Sequence, residues 1–312
     1  MKKKFDKTGL KIFLIVICCL YLTASYFTID AAIENHHIQQ LITDFKKGAI
    51  SPCQYSQTYD MNFCKVESNQ KDITPTFSIH PNTDEIFIGS RGDLLVSLKA
   101  AVTPLINWFM DFYAGGHAAL IDGADLNDNQ TGTNRIGTLI EITGLNERKE
   151  DNDVQIGYND WLFDNSLRAN FVALKVKATK EEREKAMQRA EDMLGDPYNY
   201  TFVFNTKNAH YCTDILSKAY AVVDKDLNED HFITTAQDII ISEDTFIFVY
   251  KDTYYNGYFA KLNKPVTIVS NDKIIYGFDI EGNKQYEFSS ATEAARFFKC
   301  SSSLIKLKSR SN

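Results

Sequence analysis

The longest uninterrupted pattern in the chain is apolar: from Ile12 to Ile29 no charged residue occurs over 18 positions, with Lys11 at the near edge. As a helix this stretch is about 27 Å long, close to the thickness of a bilayer's hydrocarbon core. Ala31 to Lys47 reads as one helix leaving it, and the Ser-, Gln-, Asn- and Asp-rich residues that follow read as loop. A compact pattern begins near Glu85. Ile86-Phe87-Ile88, then Gly89 and Arg91-Gly92-Asp93, then Leu94-Leu95-Val96 predict strand ends around a tight turn. Ala100 to Tyr113 predicts a helix that Gly115-Gly116 breaks, and His117 to Ile121 predicts a buried strand. Asp122 to Asn134 reads as loop, and Gly137 to Thr143 and Val172 to Val176 as two further strands. Thr179-Lys180-Glu181-Glu182 fits a capping box that opens a helix, and Leu194-Gly195-Asp196-Pro197 is a stop. Tyr211 to Val223 predicts a helix with Ile215, Leu216, Ala219, Val222 and Val223 on its buried face, and Thr245 to Tyr250 a late strand. Strands that come together with helices to one side, without a regular βαβ alternation, indicate the α+β class.

Composition adds bounds. The 312 residues are 44% apolar and 24% charged, enough for one or two domains with a sizeable core. This excludes a disordered tract, a collagen-like repeat and a disulfide-dense mini-protein. The net charge of −7 argues against a protein held mainly by nucleic-acid phosphates, but it is unevenly placed. Residues 1–29 and 261–312 each carry +4, which leaves −15 in the middle. The basic flank Met-Lys-Lys-Lys-Phe-Asp-Lys before the apolar stretch would stay cytoplasmic and send the rest of the chain outward. That stretch has three readings: a retained signal anchor, a signal peptide cut after small residues such as Thr23 and Ser25, or a buried helix. Cys18 and Cys19 follow Ile17, which is too bulky for a lipoprotein cleavage site. Cys53 and Cys64 pair in an oxidising compartment or stand as free thiols. With no Cys-x-x-Cys pair and six scattered His, no metal site and no cofactor is expected.

Three residues stand out chemically. Cys212 opens the helix at His210-Tyr211-Cys212-Thr213-Asp214, where unpaired N–H groups and the helix dipole favour a thiolate nucleophile. His117 follows two glycines that let backbone and substrate approach closely. Glu141 lies among apolar neighbours in the next strand and needs a partner. If the two strands form a hairpin, Glu141 holds the imidazole of His117, which takes the proton of Cys212. Each residue also has a duller account: a packing Cys, a turn His and a solvent-facing Glu.

Residues 86–250 resemble the permuted papain-like amidases of the YaeF/YiiX group, related to NlpC/P60 peptidases. The resemblance is carried, in order, by Gly92-Asp93-Leu94-Leu95, Gly116-His117-Ala118-Ala119-Leu120-Ile121, Leu139-Ile140-Glu141-Ile142, Leu194-Gly195-Asp196-Pro197-Tyr198, Tyr211-Cys212-Thr213-Asp214 and Ile233-Thr234-Thr235-Ala236-Gln237-Asp238. Thr213-Asp214 stands where the family has Ser-Glu, and Ala236 where it usually has Pro. The resemblance implies a circularly permuted papain-like (NlpC/P60) fold with Cys212 as nucleophile, His117 as base and Glu141 as third residue. It also makes Tyr198 a candidate substrate or oxyanion contact, the alternative being a ring that packs under its turn. Residues 274–306 resemble a NUMOD1-type DNA-binding repeat through Asp279-x-x-Gly282, Phe288-Ser289-Ser290, Glu293-Ala294-Ala295 and Ser301-Ser302-Ser303-Leu304-Ile305. Here Ile275–Asp279 and Gln285–Phe288 predict a hairpin over Glu281-Gly282-Asn283, followed by helices from Ser290 and Ser301, with Lys306, Lys308 and Arg310 able to touch phosphates.

The expected organisation is therefore an anchor helix (1–29), a membrane-proximal region (30–85), a hydrolase domain (86–260) and a small hairpin plus helix-turn-helix module (264–312). The expected function is a membrane-anchored cysteine hydrolase, its domain extracytoplasmic or lumenal, that cleaves an amide or ester of a peptide, peptidoglycan or lipid through a thioester. The rival readings are an acyltransferase of the lecithin:retinol acyltransferase type, a catalytically dead binding protein and a DNA-tethered protein working through its C-terminal module.

Overall fold

The structure is a computed structural model that describes residues 7–50, 52–56, 61–66, 89–100, 104–123, 137–144, 152–162, 164, 168–202, 206–228, 232–252, 257–261, 275–278 and 284–288. One continuous helix, α1 (Lys7–Lys47), runs through both the apolar stretch and the helix expected after it. Its two halves have different environments. No residue of the apolar 18-residue window is buried, and the helix is long and apolar enough to cross a membrane, whereas Ile38 and Ile42 lie in the core.

The polar stretch expected as loop contains two strands, β1 (Gln54–Ser56) and β2 (Met61–Val66), joined by a Cys53–Cys64 disulfide. The turn at Gly92 leads into β3 (Leu94–Ser97), then α2 (Pro104–Tyr113), β4 (Ala118–Gly123), β5 (Thr138–Glu141), β6 (Gln155–Tyr158) and β7 (Asn170–Val176). Three helices follow: α3 (Lys180–Glu191), α4 (Cys212–Ala221) and α5 (Ala236–Ile241). Two more strands, β8 (Thr245–Asp252) and β9 (Gly257–Lys261), complete a nine-stranded sheet in the order β1-β2-β9-β8-β7-β3-β4-β5-β6. The expected C-terminal hairpin is present as β10 (Ile275–Phe278) and β11 (Lys284–Phe288), paired antiparallel. The helices expected from Ser290 and Ser301, with Lys306, Lys308 and Arg310, lie outside the described residues, as do Ile86–Ile88 and residues 124–136 of the expected loop.

The sheet is covered on both faces, which is why its central strands read as unbroken apolar runs. In β3, Leu94 and Val96 face one cluster with helices α1, α3, α4 and α5, while Leu95 faces a second cluster containing Trp161 and Leu162. The alternation repeats in β7, with Val172 and Leu174 on the helical side and Phe171 and Ala173 on the other. At α3 the capping box forms as expected: Glu182 N–H donates to Thr179 Oγ1 at 3.2 Å, and Thr179 N–H to Glu182 Oε2 at 2.6 Å. Helix α4 ends at Ala221, earlier than its apolar pattern suggests. Val222 falls in the turn and is exposed, because the chain bends there instead of carrying it round to the core. The Gly92-Asp93 turn is a buried brace. Asp93 and Lys175 are both fully buried and 2.6 Å apart, and Tyr220 O–H of α4 donates to Gly92 O at 2.5 Å. Two contacts thus tie β3 to β7 and to the helix that opens with Cys212.

Candidate active site

Strand register brings the first two candidates together. In the antiparallel β4–β5 pair, Leu120 faces Ile140 and Ile121 faces Leu139. Period-two alternation then puts His117, Ala119 and Glu141 on one face, with Glu141 diagonal to His117. The side chains meet: His117 Nε2 and Glu141 Oε2 are 2.8 Å apart. The glycines before His117 are there for space and backbone shape. Gly115 has φ +67°, and a Cβ on Gly116 would come within 2.3 Å of Lys99 O. Nothing larger lets the chain pass so close to β3 as it enters β4.

The third candidate arrives from the other side of the sequence. Cys212 is the first residue of α4, placed so that the His117 side chain and the backbone N–H groups of Ala118 and Thr213 act on its thiol. Burial opposes a charged thiol here. The hydrogen bond and charge of His117 and the two N–H donors outweigh it, so Cys212 is held below its ordinary value. For His117 too, burial works against the charge, but Cys212 and Glu141 raise its pKa above the usual imidazole range. Glu141 is likewise held below the ordinary carboxylate value, its burial outweighed by His117 and Arg168. The three shifts favour charge on all three groups, and the His117 and Glu141 side chains are largely but not wholly covered.

Tyr198 is placed by backbone pairing. It bridges His210 in parallel; Asn199 N–H donates to His210 O at 2.7 Å and His210 N–H to Pro197 O at 3.0 Å. The His210 ring, fully buried, lies between Asp196 and Asp214. This pins the Leu194–Tyr198 turn to the start of α4. Tyr198 is partly buried, and its desolvation and then the neighbouring Cys212 raise the pKa of its phenol. The closing segment is fastened to the same end of α4: Thr213 Oγ1 donates to Thr234 O at 2.6 Å, and Thr234 N–H to Tyr211 OH at 3.0 Å. Ala236 N–H donates to Ala114 O at 3.0 Å. A proline has no N–H for this bond, which gives a physical reason for Ala at a position where the resemblance leads one to expect Pro.

Two neighbours were not foreseen. Trp161 lies nearly parallel to the His117 ring, with centroids 5.9 Å apart at 26°, and the Arg168 guanidinium sits 4.7 Å over the Trp161 ring. Arg168 loses basicity by burial while Glu141, Asp164, Asp160 and Cys212 attract its charge. Lys251 holds this segment in place: buried, it donates to Trp161 O at 3.1 Å and Leu162 O at 2.9 Å. The one sequence signal was Trp161-Leu162, an apolar pair in a polar stretch. Among the described residues no group of His, Cys, Asp and Glu is arranged to hold a metal ion.

Comparison with known proteins bears on two parts of the chain. Residues 155–244 match the model of the permuted papain-like amidase enzyme family, YaeF/YiiX, C92, a segment that includes Cys212 and Tyr198 but not His117 or Glu141. Residues 273–307 match the NUMOD1 domain. No curated protein matches the chain. Among solved structures, the metalloprotein yiiX from Escherichia coli O157:H7 aligns with a TM-score of 0.38 and 13% identity over 52% of this chain and 97% of that one. By sequence, then, the segment that carries Cys212 and Tyr198 is similar to permuted papain-like amidases, and the C-terminal segment to NUMOD1.

Proposed function

We propose that the chain is a membrane-anchored cysteine hydrolase of permuted papain-like fold that cleaves an amide or ester bond. The observation that carries this reading is the contact series from Cys212 through His117 to Glu141, in a chain whose segment around Cys212 matches an amidase family. The Cys212 thiolate attacks the substrate carbonyl carbon. The oxyanion is met by the Cys212 N–H, which at the first turn of α4 has no intrahelical acceptor, and by the Tyr198 hydroxyl. The His117 imidazolium gives its proton to the leaving amine or alcohol as the C–N or C–O bond breaks, leaving a thioester. Neutral His117 then takes a proton from water as the hydroxide adds to the thioester carbonyl, and the C–S bond breaks, releasing the acid and restoring the Cys212 thiolate beside protonated His117. Glu141 fixes the imidazole tautomer and stabilises its charge. The continuous α1 supports anchoring, and the Cys53–Cys64 disulfide supports a domain in an oxidising compartment.

The test is a p-nitrophenyl ester used as a general acyl donor. An acyl adduct on the Cys212 peptide, followed by turnover, is expected, with both lost in Cys212→Ala. Equal p-nitrophenol release by the wild type and Cys212→Ala would overturn the assignment.

A further inference from the structure

The body of the protein grips α1 inside its uncharged stretch, not beyond it. Thr28 Oγ1 and Tyr113 OH are 2.8 Å apart, and the rings of Phe27 and Phe232 stack with centroids 5.8 Å apart at 27°. Two turns later, Asn35 Nδ2 donates to Phe112 O at 2.7 Å. The C-terminal end of α2 and the segment at Phe232 therefore lie level with the last turns of Ile12–Ile29.

At that level the body presents aromatic rings outward. Trp108 is 68% exposed, Phe109 48% and Phe232 49%. They continue the exposed apolar surface of α1, where Tyr26 is 64% exposed. Phe109 joins Trp108 to Tyr113, with ring centroids 6.0 Å and 4.7 Å apart. The one charge of α2, Asp111, accepts from Ala100 N–H at 2.6 Å. Rings with an apolar body and a polar tip, in a band at the end of a spanning segment, match the chemistry of the headgroup zone.

We propose that Trp108, Phe109 and Phe232 form a second membrane contact that inserts into the interfacial zone of the bilayer α1 spans. This rests on the anchoring reading above. The body then lies on the membrane instead of standing off on a stalk. His117 follows Tyr113 by four residues, at most about 15 Å of chain, so the cleft is kept close to the bilayer surface.

The chain has two tryptophans, and Trp161 is buried, so it serves as an internal reference. The full chain is reconstituted in phosphatidylcholine vesicles containing lipids doxyl-labelled near the headgroup. Trp108 is expected to shift its emission to the blue, lose most of its intensity to the labelled lipid and escape acrylamide. Trp108→Phe should remove the quenched component, and Phe232→Trp in that background should restore it. Trp108 that remains acrylamide-accessible and unquenched by lipid, in protein that resists alkaline carbonate extraction, overturns the second contact and leaves the anchor standing. Protein stripped by carbonate overturns both.

Discussion

At the scale of residues, the Cys212–His117 pair dictates the pH behaviour of the proposed chemistry. Activity needs the thiolate and a protonated imidazole, so the rate should trace a bell whose limbs belong to the pair. Cys212 is held down, which moves the acid limb below the ordinary thiol value of about 8.5. His117 is held up, which moves the alkaline limb above about 6.5. Glu141→Gln removes the carboxylate that supports the imidazolium. The alkaline limb should move down and the acid limb up, narrowing the bell, with a rate loss of about 10²-fold or more. Arg168→Met acts with a different sign. The Arg168 charge disfavours the imidazolium and attracts the thiolate, so its loss should move both limbs upward. A pH profile of p-nitrophenyl ester turnover, with iodoacetamide alkylation of Cys212 as a second readout of the acid limb, separates the variants. Limbs that stay at their wild-type positions in Arg168→Met would remove Arg168 from the electrostatics of the site. His117, Glu141 and Cys212 were legible because each stands beside a local signal: Gly-Gly before the strand, a carboxylate among apolar residues, and a helix start. Arg168 had no such signal, since a lysine more than 80 residues away positions its segment through backbone carbonyls.

At the scale of elements, α1 is one helix with two environments, and its second half is part of the domain. Ile42 is 5% exposed among core side chains, and Lys46 pairs with Asp252 at 3.2 Å. Ile42→Ala should therefore cost about 2–4 kcal/mol and lower the thermal midpoint of the detergent-solubilised protein. A helix that merely tethers the domain would lose less than about 0.5 kcal/mol, and a calorimetric scan distinguishes the two. The elements that the sequence showed clearly, α3 and the β4–β5 pair, carry their own punctuation in caps and glycines. Those it concealed are strands made by distant partners. β6 is an edge strand with no buried face, a short run in which Ile156 and Tyr158 alternate with Gln155 and Gly157 yet stay exposed. β2 pairs in parallel with β9, nearly 200 residues later, so no local turn announces it. Val222 was misassigned for the converse reason: apolar periodicity continues for a residue after the helix has stopped.

For the whole molecule, the uneven charge, the disulfide and the candidate spanning helix bear jointly on the proposed orientation. On the proposed anchoring, the basic flank before the apolar stretch keeps to the cytoplasmic side and the acidic middle, residues 30–260, lies across the membrane. Only on that side does the compartment sustain Cys53–Cys64, which closes the edge of the sheet at β1 and β2. The bond spans 11 residues and should contribute about 3 kcal/mol, so a domain left in the cytoplasm would lose an edge as well as its address. In sealed microsomes from an expressing host, protease should spare the chain beyond residue 30 until detergent is added. A thiol-reactive polymer applied in detergent should reach Cys53 and Cys64 only after reduction. Digestion without detergent, together with free thiols at both positions, would reverse the orientation and place the NUMOD1-like segment on the cytoplasmic side with the body. In that case salt-dependent binding of DNA by the full chain, lost when Lys306, Lys308 and Arg310 are changed to Gln, becomes the expected activity of the C-terminal segment.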